Sequence, residues 1–303
     1  VESGLKSAGK RLQTKYRRLK LKVDSNQEIC ENHYLLTVKL PDNPKINVIP
    51  GQFFHVICDP DGIEKKGYQL TLRRPFSVHR INSSRIEFLY RVVGKGTEIL
   101  SQIKAGILLD AIGPSGNGFE IGNKPRAIVV AGGIGIAPLM ALIEKLCYQK
   151  KEVHLYFGAL NKEQLRIVVK PRRKGNTCIV EAIESEFNNV GVKNVRISTD
   201  NGSVGYKGLV TELLADDLRK GLAFQKDTII YTCGPHNMMK TVAKIAGDNK
   251  IRCQVLLEER MACGIGACFS CVCDVIGPEG TPVKKRVCRD GPVFNAAEII
   301  WKN

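Results

Sequence analysis

The sequence predicts three unequal units: an antiparallel β-barrel, an α/β unit built on a parallel sheet, and a small cysteine-rich unit at the C-terminus. Three observations predict this. Short strand-like runs separated by turn residues fill the stretch from Lys15 to about Ile121, the pattern of a small antiparallel barrel. From Arg126 to Ala246 apolar strand-like runs alternate with helical periods, which calls for a parallel sheet with helices on both faces. Beyond them Cys263, Cys268 and Cys271 stand in C-x4-C-x2-C spacing. The expected boundaries are a basic extension over 1–17, the barrel over 18–122, the α/β unit over 123–249 and the cysteine-rich unit over 250–303.

Composition narrows the function classes. A chain of 303 residues and 33.5 kDa with 43% hydrophobic content has room for two or three cores. Eleven cysteines in that length are too sparse for a small disulfide scaffold and point to a reducing cytoplasm. No apolar run reaches the length of a membrane span. The basic start lacks the apolar core of a secretory signal, and Val1 is expected not to be the natural first residue. Lys and Arg exceed Asp and Glu by 46 − 30 = 16, which favours phosphates and acidic partners. Residues 1–22 hold eight of those cations against Glu2 alone, with smaller clusters at Arg166–Lys174 and Lys284–Arg289. The N-terminal run reads as a solvated tail or a partner-docking arm; no nucleic-acid motif accompanies it, so nucleic acid is not an expected partner.

In the barrel the expected strands are Tyr34–Leu40, Gly51–Ile57 and Arg85–Val93, parted by Pro41-Asp42-Asn43-Pro44 and Asn82-Ser83-Ser84. Its chemistry lies in two places. In Arg73-Arg74-Pro75-Phe76-Ser77 a guanidinium suited to a pyrophosphate precedes an extended proline and then a hydroxyl. Cation, aromatic and hydroxyl are expected to face one ligand, although the run also suits an exposed strand end. In Gly94-Lys95-Gly96-Thr97 a glycine turn opens a helix whose free N–H groups can hold a phosphate, or which Thr97 simply caps. Together they predict a flavin site.

Pro114–Phe119 reads as a flexible boundary. The buried strand Arg126–Ala131 then ends in Gly132-Gly133-Ile134-Gly135-Ile136-Ala137-Pro138, with the proline placed for a first helical turn. Strand, glycine turn and helix form an anion cradle, yet the loop is not the G-x-G-x-x-G of a dehydrogenase-type site. Strands Val153–Phe157, Val195–Ser198 and Thr228–Thr232 follow, with helices near Leu209–Arg219 and His236–Ala246. Cys233-Gly234-Pro235 sits between the last strand and helix. Both glycine motifs fall at strand carboxyl ends, where open α/β sheets bind ligands. Cys233 is either a small residue in a tight turn or a thiol beside a nicotinamide ring.

The cysteine spacing is that of plant-type 2Fe-2S sites. Gly264 and Gly266, with Ala262 and Ala267, let the backbone approach an inorganic core. Zinc sites more often pair separated C-x2-C units, and merely buried thiols need no glycine. Cys288 is chosen as the fourth ligand because Cys273 is expected to point away from Cys271; Cys273 stays as the alternative.

These motifs, with Leu89–Thr97 and Glu259–Cys268, resemble the ferredoxin-reductase superfamily over about residues 18–300. Within it they are similar to the electron-transfer subunits of class 1B dihydroorotate dehydrogenases. The resemblance implies that Arg74, Pro75, Phe76 and Ser77, with Leu89, Tyr90, Arg91, Gly96 and Thr97, hold FAD. Gly132, Gly133, Gly135, Ala137 and Pro138, with Cys233, Gly234 and Pro235, would face NAD(P)(H), and Cys263, Cys268, Cys271 and Cys288 would bind the cluster. Ser77 and Cys233 would be catalytic, at the reactive flavin nitrogen and the nicotinamide respectively. The implied partner is a flavoprotein subunit, in the archetype an FMN enzyme oxidising dihydroorotate to orotate in pyrimidine biosynthesis. The basic extension and Lys170–Gly175 look like additions to the family core. A subunit of an electron-bifurcating or sulfide-linked oxidoreductase is the second reading, and a redox-sensing binding protein the third. The sequence selects neither NAD over NADP nor a direction of electron flow.

Overall fold

The computed structural model describes residues 16–42, 46–60, 72–168, 179–221 and 227–302. Residues 1–15 of the basic extension and the Lys170–Gly175 segment lie outside the described residues.

The first unit is a seven-stranded antiparallel sheet of β1 (Arg18–Cys30), β2 (His33–Lys39), β3 (Phe53–Val56), β4 (Arg74–Ser77), β5 (Arg80–Asn82), β6 (Arg85–Arg91) and β7 (Leu108–Ser115). Its order is β4-β3-β7-β1-β2-β6-β5. The two edge strands, β4 and β5, are consecutive in the chain with only Val78 and His79 between them. The sheet therefore curls until its edges meet, which is what makes it a barrel. Alternation fills the interior: Leu19, Leu21 and Val23 of β1 point in, and Arg18, Lys20 and Lys22 point out. Those three cations, expected in a tail or arm, are thus the solvent face of a strand, and Arg18 and Lys20 pair with Asp110. Helix α1 (Lys95–Gln102) follows β6.

The second unit is built on β8 (Arg126–Gly132), β9 (Glu152–Ala159), β10 (Asn194–Thr199), β11 (Tyr206–Lys207), β12 (Thr228–Cys233) and β13 (Arg252–Leu256), all parallel. A 3-10 turn (Gly133–Leu139) and α2 (Met140–Tyr148) follow β8; α3 (Ile179–Val190) precedes β10, α4 (Val210–Arg219) follows β11, and α5 (His236–Asp248) follows β12. Strand β8 is apolar on both sides because both are covered: Ala127, Val129 and Ala131 face one core with Leu142 and Phe187, and Ile128 and Val130 face the other with Leu213 and Val242.

The boundary expected at 249/250 needs correction, since β13 pairs in parallel with β12 and completes this sheet. The third unit begins after it, with the hairpin β14 (Val272–Ile276) and β15 (Pro282–Arg286), then α6 (Val287–Asp290). Its last strand, β16 (Val293–Asn295), runs antiparallel to β13, so the C-terminal unit is stitched to the edge of the parallel sheet.

Pro114–Phe119, expected to be flexible, is instead a clasp. The Asn117 side chain donates to the carbonyls of Asp290 and Val293 and accepts from the Val293 N–H, each at 3.1 Å. A short asparagine in a glycine-rich stretch looks like a loop until its partners arrive from 173 and 176 residues away. Other ties fix the barrel against the second unit. His79, held neutral because burial and then the Arg80 charge push its pKa to about 3, meets the Ala137 carbonyl through Nδ1 at 3.0 Å. Arg80 reaches Glu144 and Glu186, both at 3.0 Å.

Candidate functional site

A cavity of about 490 Å³ opens between barrel and parallel sheet. Pro75, Phe76, Ser77, Leu89, Tyr90, Arg91 and Thr97 line it from the barrel, and Ala137 and Pro138 from the opposite wall. Two adjacent arginines divide their work. Arg73 is tied to Asp110, donating to its carbonyl at 2.8 Å and pairing with its carboxylate. Burial would raise the Asp110 pKa, but Arg18, Arg73 and Lys20 outweigh it and hold the group at about 2. Arg74 has no acidic partner among the described residues; it donates to the Leu72 and Arg73 carbonyls and lies along Gly96 at the start of α1. A bare cation beside a glycine-opened helix N-terminus fits a pyrophosphate.

Two barrel expectations change. A strand alternates, so the Ser77 side chain leaves β4 on the other side from Arg74 and Phe76, although Phe76 and Ser77 both border the cavity. The Phe76 ring is packed in the barrel core against Phe88 and Tyr90, with centroids 6.2 and 5.6 Å away. Thr97 does not cap α1 in the ordinary way: Gly94 is the N-cap, and the Thr97 hydroxyl reaches back to accept from the Val93 and Gly94 N–H groups at 2.9 and 3.3 Å.

A second cavity, about 610 Å³, lies over the carboxyl ends of β8, β9 and β12. Gly132, Gly133, Gly135, Gly234 and Pro235 line it, as expected for ligands of an open α/β sheet. Gly135 is required by contact, because a Cβ there would collide with the Cys233 carbonyl. Cys233 itself is fully buried and does not line the cavity; burial, then the neighbouring Glu258, raises its pKa far enough to keep the thiol protonated. Asp200, directly beyond β10, also lines this cavity.

Sequence reasoning missed Glu258. It lines both cavities; its side chain keeps solvent access within them, while the surrounding protein desolvates the carboxyl enough to raise its pKa. It stands just past a parallel strand, as the two glycine motifs do, and that position was the available signal.

The four expected thiols gather as two pairs. Cys263 lies beside Cys268, and Cys288 beside Cys271, whose sulfur accepts from the Cys288 N–H at 3.4 Å. The Cys263 sulfur accepts from the Ala267 and Cys268 N–H groups at 3.3 and 3.4 Å. Burial alone would raise its pKa, but these N–H donors and that of Ile265 outweigh it and bring the thiol to about 6, toward the thiolate a cluster needs. Among the described residues no three candidate ligands surround a single metal position. Two pairs suit a core of two irons better than one ion. Strand alternation does not set Cys273 aside: residues two apart in an extended segment share a face rather than oppose, Cys271 itself lies in the turn before β14, and both are buried in the same core. What separates them is their company: Cys271 meets Cys288, whereas Cys273 lies near Glu259, with its pKa raised to about 11 by burial first.

The three places lie in sequence. Glu258 and Arg91 line both cavities, Arg260 and Met261 line the first, and Cys263 follows two residues later.

Comparisons with known proteins agree with this order. A family model for the iron-sulfur cluster binding domain of dihydroorotate dehydrogenase B matches residues 258–300, and one for an oxidoreductase NAD-binding domain matches 129–244. The electron transfer subunit of dihydroorotate dehydrogenase B (NAD(+)) from Caldanaerobacter subterraneus subsp. tengcongensis is 37% identical over 94% of this chain and 99% of its own. That from Desulforamulus reducens is 37% identical over 90% and 95%. A solved NADH-dependent reduced ferredoxin-NADP oxidoreductase, described with flavin-based electron bifurcation, is 27% identical over 93% of this chain and 90% of that one, with a TM-score of 0.71. A ferredoxin NADP+ reductase from Neisseria gonorrhoeae with bound FAD and NADP is 16% identical over 77% and 91%, with a TM-score of 0.56, and shows the fold alone. Full-length identity to the first two places this chain in the family of electron transfer subunits of dihydroorotate dehydrogenase B.

Proposed function

We propose that this chain carries electrons between NAD(H) and a catalytic partner subunit that oxidises dihydroorotate to orotate. The observation that supports it is the unbroken order of nucleotide cavity, flavin cavity and paired thiols, joined through Glu258–Cys263. When bound, FAD exchanges an electron pair with a nicotinamide and single electrons with a 2Fe-2S centre. The residues supply orientation. The Gly132–Gly135 turn and Gly234 let a dinucleotide lie close to backbone N–H groups. Ala137 and Pro138 form the far wall of the flavin cavity, and Ile134 of the same turn lines both cavities. Ser77 offers its hydroxyl to the flavin ring system, and Cys233, a buried neutral thiol, supports the nicotinamide turn from behind. Cys263, Cys268, Cys271 and Cys288 hold the cluster. Cys268 is exposed, flanked by Ile265 at 37% and Phe269 at 56% exposure, so the cluster's outer side offers an apolar contact for the partner. Anaerobic titration of the cofactor-loaded chain with NADH tests the reading: flavin absorbance bleaches and a reduced 2Fe-2S EPR signal grows. An NADH-inert flavin contradicts it.

Two substitutions probe the binding roles. Arg74→Ala is expected to weaken FAD retention by about 1.5–3 kcal/mol, the worth of a hydrogen bond to a charged group. Flavin content after dialysis measures it, and unchanged content removes Arg74 from the pyrophosphate site. Asp200 is placed to accept from a ribose hydroxyl and to repel a 2′-phosphate. Asp200→Ser is therefore expected to shrink the preference for NADH over NADPH about 10–100-fold, read from kcat/KM with an artificial acceptor.

A further inference from the structure

His55 lies on β3, whose alternation splits its residues between two cores. Phe54 and Val56 belong to the barrel interior, whereas Phe53 packs with Cys271, Cys288 and Phe294. His55 sides with Phe53: the two rings meet edge to face, with centroids 6.3 Å apart at 85°. Phe53 also lines the flavin cavity. Across the sheet His55 pairs with Pro75 of β4, the flavin-facing strand, and with Ile112 of β7.

The opposite side of the imidazole is covered by the cluster loop. A Cβ on Gly264 would collide with Nδ1 and lie 2.7 Å from Cε1, so only glycine lets the loop rest on the ring. The side chain is fully buried, and among the described residues neither ring nitrogen has a partner in hydrogen-bond geometry; the Cys263 backbone lies close enough to make the ring more basic. A neutral imidazole carries one N–H donor. An unmet buried donor costs about 1–3 kcal/mol, and a phenylalanine would fill the same space without that cost. The orphaned nitrogens therefore fit a partner belonging to the cofactor beside the loop.

We propose that His55 is a positioning residue that donates its ring N–H to a sulfur of the 2Fe-2S centre held at Cys263, and so sets that centre's reduction potential relative to the flavin. The inference rests on the cluster assignment above. Hydrogen bonds to cluster sulfurs are among the determinants of potential, and a donor favours the more negative, reduced form. Through Pro75 and Phe53 the same residue touches the walls of the flavin cavity, so one side chain links the spacing of the two centres to the potential of one.

The test is an EPR-monitored redox titration of the holoprotein, with flavin and iron content measured alongside, for the wild type, His55→Phe and His55→Gln. His55→Phe keeps the ring and loses the donor; its midpoint is expected to fall by the equivalent of about tenfold in one-electron exchange, about 59 mV. His55→Gln keeps an N–H and is expected to recover most of the wild-type value. An unshifted midpoint in His55→Phe with its cluster intact overturns the proposal. Equal shifts in both variants overturn it too, since packing would then be the cause, as does loss of the cluster from both. A wild-type holoprotein with no 2Fe-2S signal instead contradicts the cluster assignment itself.

Discussion

Cys288→Ser and Cys268→Ser are each expected to abolish the 2Fe-2S signal and all electron exchange with the partner subunit, while FAD stays bound and NADH still reduces an artificial dye. Cys273→Ser is expected to keep both the cluster and that exchange. The contrast follows from the pairing of thiols: Cys288 meets Cys271 and Cys263 meets Cys268, whereas Cys273 packs against the core beside Glu259. Serine keeps the size and removes the soft thiolate that iron requires. FAD survives because the flavin cavity draws mainly on β4, β6 and the 3-10 turn, and the cluster unit contributes Leu257–Met261 and Pro292 but none of the four thiols. Iron content, EPR and flavin absorbance of the three variants check the claim. Loss of flavin together with the cluster would show that the two sites are one folding unit, and cluster loss in Cys273→Ser would reassign the fourth ligand.

Glu258→Gln is expected to lower NADH-dependent dye reduction about 100-fold without loss of FAD. The side chain opens to both cavities, where an ionised carboxylate stabilises the positive charge that a nicotinamide ring gains on oxidation. Once a bound nicotinamide covers the side chain, one such preorganised charge contributes about 100–1,000-fold. Glutamine keeps the shape and removes the charge. Desolvation raises the Glu258 pKa, so the ionised form is gained only above the ordinary glutamate range. NADH oxidation by the wild type should accordingly rise with pH through an ionisation that is missing in Glu258→Gln. Stopped-flow reduction of the flavin across pH separates this from a binding defect, and an unchanged pH profile removes Glu258 from the chemistry.

What could be read in advance was local. The cysteine spacing, the glycines at strand ends and the β/α alternation are short-range patterns whose physics holds before the chain folds. The sites that escaped depend on distant partners. Asn117 looks like loop residue until Asp290 and Val293 reach it. Strand β13 looks like the opening of the cysteine-rich unit, since nothing in Arg252–Leu256 reveals that β12 is its neighbour. Glu258 becomes distinctive only once β13 delivers it to the meeting of two cavities, and Asp200 once β10 ends over the nucleotide cavity. Phe76 shows a different limit: an aromatic between a cation and a hydroxyl suggests stacking, and in the fold its ring packs in the barrel core while the residue borders the flavin cavity. The basic run over 1–22 reads as a tail or arm although the barrel is expected from residue 18; the alternation of Leu19 and Leu21 with Arg18, Lys20 and Lys22 gives its last part to the barrel.

The most direct test of the central claim is anaerobic purification of the native complex, followed by an assay of NAD+ reduction driven by dihydroorotate. Co-purification of an FMN-containing dihydroorotate oxidase, with turnover that disappears in Cys268→Ser, is the expected result. A different flavin or iron-sulfur subunit in the complex, with dihydroorotate inert, would contradict the assignment of substrate and partner.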